Sequence, residues 1–594
     1  MMMFRQLWWF FKMEKKSYLI GISTLMLLSL THLVTPYTVR VVVDAITADA
    51  LTWRLLVFWT VVNVLVALCK YGLGYTWRVM LFGAGYRMGR LLRDRLYQQF
   101  TRMSPRFYHQ RRTGDMMAHA TNDIQAVVVT AGEGVLTLAD SFVSGMVVIV
   151  AMFVFIDWQL ALISLLPMPL IAVATQQYGK LLHQRFHLAQ EAFSRINDKV
   201  QENIAGVRVV KAFGQEEAEK QEFKRRLDDV VEKNLAVARV DALFDPTIVM
   251  AVGLSMLLAV VFGSISVADG RLTIGQLLQF TLYLGQLVWP MLAYGILINI
   301  VERGRASYER IQSLLNIKPD IEERPNAIDE QPVGDIQFNV ESFTYPDAES
   351  AALTQIRVCV KRGGTLGIVG KTGSGKSTLL RLMLREFDVT QGEIRIGNHP
   401  ITDYTLSALR GAIGYVPQDH VLFSATVAQN IAFGNPKATR EQIEAAAKIA
   451  CVHEDILQFA EGYDTVIGER GVTVSGGQKQ RLSIARALLL NPEILILDDV
   501  LSAVDAKTEH AILQALRQNR VGKTTLISAH RLSAVEHADT IIVLDEGWII
   551  QQGTHEELMQ QDGWYRHMFL QQQLESQVLK GGEEGGTETS APLS

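Results

Sequence analysis

Eight consecutive residues, Gly370-Lys371-Thr372-Gly373-Ser374-Gly375-Lys376-Ser377, have the types and spacing to hold a polyphosphate. They fit G-x-x-x-x-G-K-[ST], the phosphate-binding loop. The glycines let backbone N–H groups converge on an anion without Cβ clashes. A helix running on through Thr378 would add the partial positive charge of its N-terminus. Lys376 can reach β- and γ-phosphates, and Ser377 can coordinate Mg²⁺. Downstream, Ile494-Leu495-Ile496-Leu497-Asp498 reads as an apolar strand ending in a carboxylate, which a buried parallel strand would deliver to the sheet edge, where it can hold Mg²⁺ or its water. Between them, Ser475-Gly476-Gly477-Gln478 opens a helix over Leu482–Leu488 and forms a second anion-ready helix start. One nucleotide does not need two such cradles in one domain, so the second is expected to face the nucleotide of another copy.

The elements that must position these residues are an apolar strand before the loop, Thr365–Val369, and a helix after it, Thr378–Leu384. Strands and helices alternate from about 335 to 575, an α/β pattern. The first half of the chain is different. Of 594 residues, 49% are hydrophobic, and long early windows carry almost no charge. Six apolar windows, 18–39, 55–83, 134–156, 158–178, 246–267 and 276–299, each approach the ~20 residues that cross a bilayer. Residues 1–17 join aromatics (Phe4, Trp8, Trp9, Phe10, Phe11) to Lys12, Lys15 and Lys16, and read as a helix lying in the membrane interface. The connections after the second and fourth windows are long and rich in Arg and Lys. Basic residues near membrane ends stay cytoplasmic. Both termini are therefore expected in the cytosol, with two long helical hairpins projecting there.

The domain plan that follows is an all-α six-helix membrane domain over 18–315, a Pro- and charge-rich linker over 316–334, the nucleotide half over 335–575, and a low-complexity tail over 576–594 expected to be disordered. Net charge is −4, which gives no reason to expect a nucleic-acid partner. The three cysteines, Cys69, Cys359 and Cys451, have no metal-ligand spacing.

With the Ser475-Gly476-Gly477-Gln478 run in view, residues 335–575 resemble the nucleotide-binding domain of ATP-binding cassette (ABC) transporters, an α/β P-loop fold of RecA-like type. The whole chain resembles bacterial half-size exporters of the multidrug-resistance type. The resemblance implies ATP and Mg²⁺ as cofactors, a second half-transporter as partner, a place in the cytoplasmic membrane, and a small lipophilic cargo; a lipid flippase or an ATP-gated channel of the same architecture is the alternative. It implies that Tyr345 stacks on adenine, that Gln418 touches Mg²⁺ and the attacking water, and that His530 contacts the γ-phosphate. Ser475, Gly476, Gly477 and Gln478 would bind the partner's ATP, and the loop Ser502-Ala503-Val504-Asp505 would cross the dimer. The segments Arg112–Ala118 and Lys211–Glu217 resemble the family's coupling elements.

One position departs from the family. The residue after the strand-end carboxylate, usually Glu, is Asp499. Its side chain is one methylene shorter, leaving it roughly an ångström outside the ~2.6–3.2 Å reach of a general base. In the family such an Asp resembles the degenerate subunit of a heterodimer, so a slow site and a fast site are expected; the alternative is a homodimer that hydrolyses slowly through Asp499. Lys70, Arg78 and Asp140 lie in or near apolar windows, where ionisable groups are candidates for function.

Overall fold

The computed structural model describes residues 2–346, 348–468, 474–501 and 504–584. The chain forms two compact units, Met1–Arg102 with Arg111–Ile317, and Met103–Gln110 with the chain from Lys318 onward.

Among the described residues the first unit contains six helical stretches long and apolar enough to cross a membrane: Lys15–Thr47, Trp53–Arg102, Thr113–Phe155, Trp158–Ala205, Glu216–Ala268 and Ile274–Leu315. Each holds one of the six predicted windows. Two pairs run well beyond the ~20 residues a bilayer needs, and the surplus builds the two predicted hairpins. Prolines explain where the helices break. Interruptions fall at His32–Leu33, Ala242–Leu243 and Leu287, with Pro36, Pro246 and Pro290 three or four residues later. A proline has no N–H to offer the carbonyl four residues back. At the first break that carbonyl, His32 O, accepts from Gln286 Nε2 at 3.3 Å on the last membrane helix. Leu166–Pro167 interrupts the fourth stretch in the same way, beside Pro167 and Pro169.

The third stretch carries two single π turns, His119–Asp123 and Thr130–Gly134. Both face the sixth stretch. Thr130 Oγ1 donates to Ile300 O at 3.0 Å, and Asp123 accepts from Ser307 Oγ at 2.9 Å and from Arg310 Nε at 3.0 Å. The two helices touch so closely that a Cβ on Gly304 would lie 1.9 Å from Thr130 Oγ1.

Among the described residues the second unit has two large sheets and a two-stranded ribbon, Ala425–Thr426 with Val466–Ile467. A six-stranded sheet runs in the order Trp548–Gly553, Thr540–Asp545, Thr365–Gly370, Thr524–Ser528, Ile494–Asp498, Ile413–Val416. Its last five strands are parallel, with Trp548–Gly553 antiparallel at one edge. The central strands Thr524–Ser528 and Ile494–Asp498 are buried along their whole length, as parallel strands covered on both faces must be. A second, antiparallel sheet pairs Ile336–Phe343 with Leu353–Val360 and Gln391–Ile396.

Two boundaries differ from the sequence reading. The segment expected as a linker folds onto the nucleotide unit from Lys318 on: Ile328 exchanges backbone hydrogen bonds with Asp403 and Thr405, and Glu323 accepts from Leu406 N at 2.7 Å. The final helix, Trp564–Glu584, runs on past 575 into the expected tail; residues 585–594 of that tail lie outside the described residues.

Candidate nucleotide-binding site

The parallel register decides the site. Ile368 is level with Ser528, Ser528 with Asp498, and Leu497 with Val416. Four strands therefore end at one edge, and the residues that follow them are brought together there: the phosphate loop after Gly370, His530, Asp499, and Gln418. The carboxyl edge of a parallel sheet is where such folds bind ligands.

In the loop, Gly370 has φ +146°, and a Cβ there would lie 2.1 Å from Leu544 O. Gly375, at φ +102°, caps the helix Lys376–Met383, with Leu353 Cδ2 2.6 Å from where a Cβ would be. Only glycine meets both demands. Lys371 pairs with Asp545 at 3.2 Å, Thr372 and Gly373 are exposed, and Ser374 is buried with its hydroxyl lacking a hydrogen-bond partner. A buried, unpartnered hydroxyl in a glycine-rich loop before a helix start fits an oxyanion ligand. Lys376, only 6% exposed, donates from Nζ to Gly370 O and Lys371 O, both at 2.9 Å. Burial pushes its ammonium below the usual lysine range, opposed by the charges of Asp499 and Asp498. A bound phosphate would supply the negative charge this cation is positioned for.

Ser377 Oγ donates to Asp498 Oδ1 at 2.9 Å. Asp498 is buried; burial raises its carboxyl, opposed chiefly by hydrogen bonds from Ser377 and Ser528. Hydroxyl and carboxylate are the hard oxygen donors Mg²⁺ takes. Among the described residues no group of three or more His, Cys, Asp or Glu converges, so a bound Mg²⁺ would keep water and phosphate oxygens beside the few oxygen donors this chain offers, as is usual for Mg²⁺.

Tyr345 donates to Thr378 Oγ1 at 3.0 Å and stands edge-on to Phe343 and Phe387 with centroids 4.9 and 5.2 Å away. The ring is thus held in a fixed pose beside the first turn of the loop helix. Gln418 and His530 are exposed, each two residues beyond its strand. Asp499 has φ +50° and donates from its N–H to Ser528 O at 2.9 Å. Asp tolerates this left-handed conformation better than most side chains.

The second helix start is a capping box. Ser475 Oγ accepts from Gln478 N at 3.2 Å, and Gln478 Oε1 accepts from Ser475 N at 3.0 Å. Gln478 Nε2 also donates to Asp455 at 3.2 Å. Gln478 is thereby engaged at both ends of its amide in holding the helix start, a role the S-x-x-Q spacing could have revealed. Ser475 and Gly476 are exposed. Of the predicted dimer-crossing loop, Ser502 and Ala503 lie outside the described residues, and Asp505 caps the helix Ala506–Asn519 by accepting from Thr508 N.

The family profile "ABC transporter transmembrane region" matches residues 18–291, and "ABC transporter" matches 353–502. The multidrug resistance-like ATP-binding protein MdlA of Escherichia coli strain K12 is 50% identical over 576 residues, covering 97% of this chain and 98% of that protein. The chain belongs to the ABC transporters. The probable multidrug resistance ABC transporter ATP-binding/permease protein YheI of Bacillus subtilis is 44% identical over 98% of this chain and 99% of its own length, and the ATP-dependent lipid A-core flippase of Syntrophus aciditrophicus 35% over 95% and 92%. The solved structure of a bacterial Atm1-family ABC exporter with ATP bound superposes with a TM-score of 0.79 at 28% identity, over 94% of this chain and 98% of that one. As an ABC transporter the chain binds ATP and couples its hydrolysis to transport.

The expected coupling segment Arg112–Ala118 forms the short helix Thr113–Ala118, which groups with the first unit. The short helix Pro105–His109, within the stretch Met103–Gln110, is the part of the first hairpin grouped with the nucleotide unit, where Ser104 Oγ donates to Asp320 at 2.6 Å. Ser104 before Pro105 is a helix-start signal, too short to show periodicity. The other hairpin tip, 207–213, leaves Val209 and Phe213 61% and 75% exposed.

Proposed function

We propose that this chain is one half of a dimeric exporter that drives lipophilic compounds across the cytoplasmic membrane by alternating access, and that its partner is a different half-transporter. Each ATP would lie between the phosphate loop of one chain and Ser475-Gly476-Gly477 of the other. In that site Lys376 and the loop amides hold the β- and γ-phosphates, Ser377, Asp498 and Gln418 hold Mg²⁺, Tyr345 stacks on adenine, and His530 meets the γ-phosphate. Mg²⁺ would neutralise charge developing on the phosphates. Capture of ATP favours the closed pair because ATP binds that state better. Two helix starts suited to anions in one chain, and apolar residues exposed at the hairpin tip, support a dimer. The names of the E. coli and B. subtilis relatives support a multidrug cargo.

The observation that carries the heterodimer is Asp499. Its short side chain on a left-handed turn makes this chain's own loop the slow site, while its intact Ser475–Gln478 run serves a fast site on the partner's loop. The test is expression of the chain alone. It should hydrolyse ATP slowly, and co-expression with a half-transporter bearing Glu at the matching position should restore turnover. Robust hydrolysis by the lone chain, abolished by Asp499→Asn, would remove the heterodimer. A second reading, lipid translocation, is favoured by the flippase relative. Stimulation of the ATPase by lipophilic cations and not by added lipids decides for drug-like cargo.

A further inference from the structure

The first unit has a concavity of about 450 Å³ far in sequence from the phosphate chemistry, between the end of the amino-terminal aromatic helix and the second membrane helix. Its rim carries Lys15, Lys16, Glu14 and Arg87, and its apolar wall includes Met13 and Met80. Glu14 and Arg87 satisfy one another through a two-pronged pair, Nε to Oε1 at 2.9 Å and Nη2 to Oε2 at 2.8 Å. Lys15 and Lys16 are exposed, and among the described residues neither has a carboxylate within ion-pair distance. Lys15 begins the first membrane helix, and Met80 lies near the end of the apolar window of the second. The concavity therefore sits where hydrocarbon gives way to headgroups, and the nearby Trp8, 67% exposed, is the residue type that favours that level.

We propose that this concavity is a binding site for an anionic glycerophospholipid, with the phosphate on Lys15 and Lys16 and an acyl chain along Met13 and Met80. Basic pockets at helix ends recognise anionic headgroups in this way. The apolar wall commits the site to a lipid, because a free phosphate has no chain to place on it. The volume is that of a small-molecule pocket. Glu14 sets the limit on affinity: it neutralises Arg87, so two of three cations face the lipid. The site is independent of the cargo and of the partner's identity.

Native mass spectrometry of the full-length protein in mild detergent, offered phosphatidylglycerol and phosphatidylcholine in equal amounts, reads the site directly. The unaltered protein should retain phosphatidylglycerol preferentially. Lys15→Gln with Lys16→Gln should weaken that retention about thirtyfold, the worth of two cations at an anionic surface. Glu14→Gln, which frees Arg87, should strengthen it about fivefold, a gain that a merely structural role for Glu14 would not produce. Arg5→Gln with Lys12→Gln, in the same interfacial segment but outside the concavity, should change it less than about twofold on the same scale. Equal retention of the two lipids, unchanged retention in the Lys15/Lys16 variant, or an equal loss in the Arg5/Lys12 variant overturns the site. Should the Lys15/Lys16 variant fail to fold, Glu14→Gln decides alone, and no gain overturns it.

Discussion

Replacing Gly476 by Asp separates folding from function with opposite signs. Gly476 is the first residue of the helix capped by Ser475, and a Cβ there meets nothing within 4 Å. A carboxylate in the first turn of a helix stabilises it by about 0.3–1 kcal/mol, and removing a glycine from a helix adds up to about 1 kcal/mol. The variant should therefore melt no lower than the unaltered protein. If the helix start faces a partner's nucleotide, the new charge stands about 5 Å from a phosphate. At an effective dielectric near 20 that repulsion is about 3 kcal/mol, which weakens ATP-driven closure by more than about a hundredfold. The assay is ATP hydrolysis by the assembled transporter, alongside its melting temperature with and without ATP. Hydrolysis within about twofold of normal would refute the sandwich by this Coulomb scale. A melting point that falls together with activity would place the effect in the fold.

Three further outcomes are expected. Lys376→Met keeps the buried volume but removes the ammonium; loss of charged hydrogen bonds of about 1.5–3 kcal/mol should weaken ATP binding by one to two orders of magnitude, measured by nucleotide titration. Gly304→Ala forces a Cβ to within 1.9 Å of Thr130 Oγ1; overpacking of about 1–3 kcal/mol should lower the melting temperature, and adding Thr130→Ala should recover part of it. Burial raises the Tyr463 phenol to about 12, so the folded state keeps a proton that the unfolded chain releases near pH 10, and stability should decline as pH rises from about 10 toward about 12. Tyr463→Phe should flatten that decline in thermal melts.

What was legible in the sequence was local. The phosphate loop announces itself because glycine, lysine and serine each have one job at fixed spacing, and six apolar windows are long enough to need a bilayer. Strand ends such as Asp498 could be read from apolar runs. The rest depended on tertiary contacts or on backbone angles. The left-handed turn at Asp499 has no sequence mark beyond Asp itself. Pro105–His109 is too short for periodicity, and charge and proline describe a free linker as well as a segment pinned by Glu323 and Ile328. The spacing of Gln478 from Ser475 also fits the helix cap that the structure shows.

The proline break near Pro167 has a mechanical consequence. Below it the helix Met168–Ala205 is an unbroken rod of 38 residues, about 57 Å long at 1.5 Å per residue. Swinging its far end by about 10 Å turns the break by only about 10° over such a rod. A long lever of this kind trades a large, weak stroke at the hairpin's far end for a small, forceful rotation at the break.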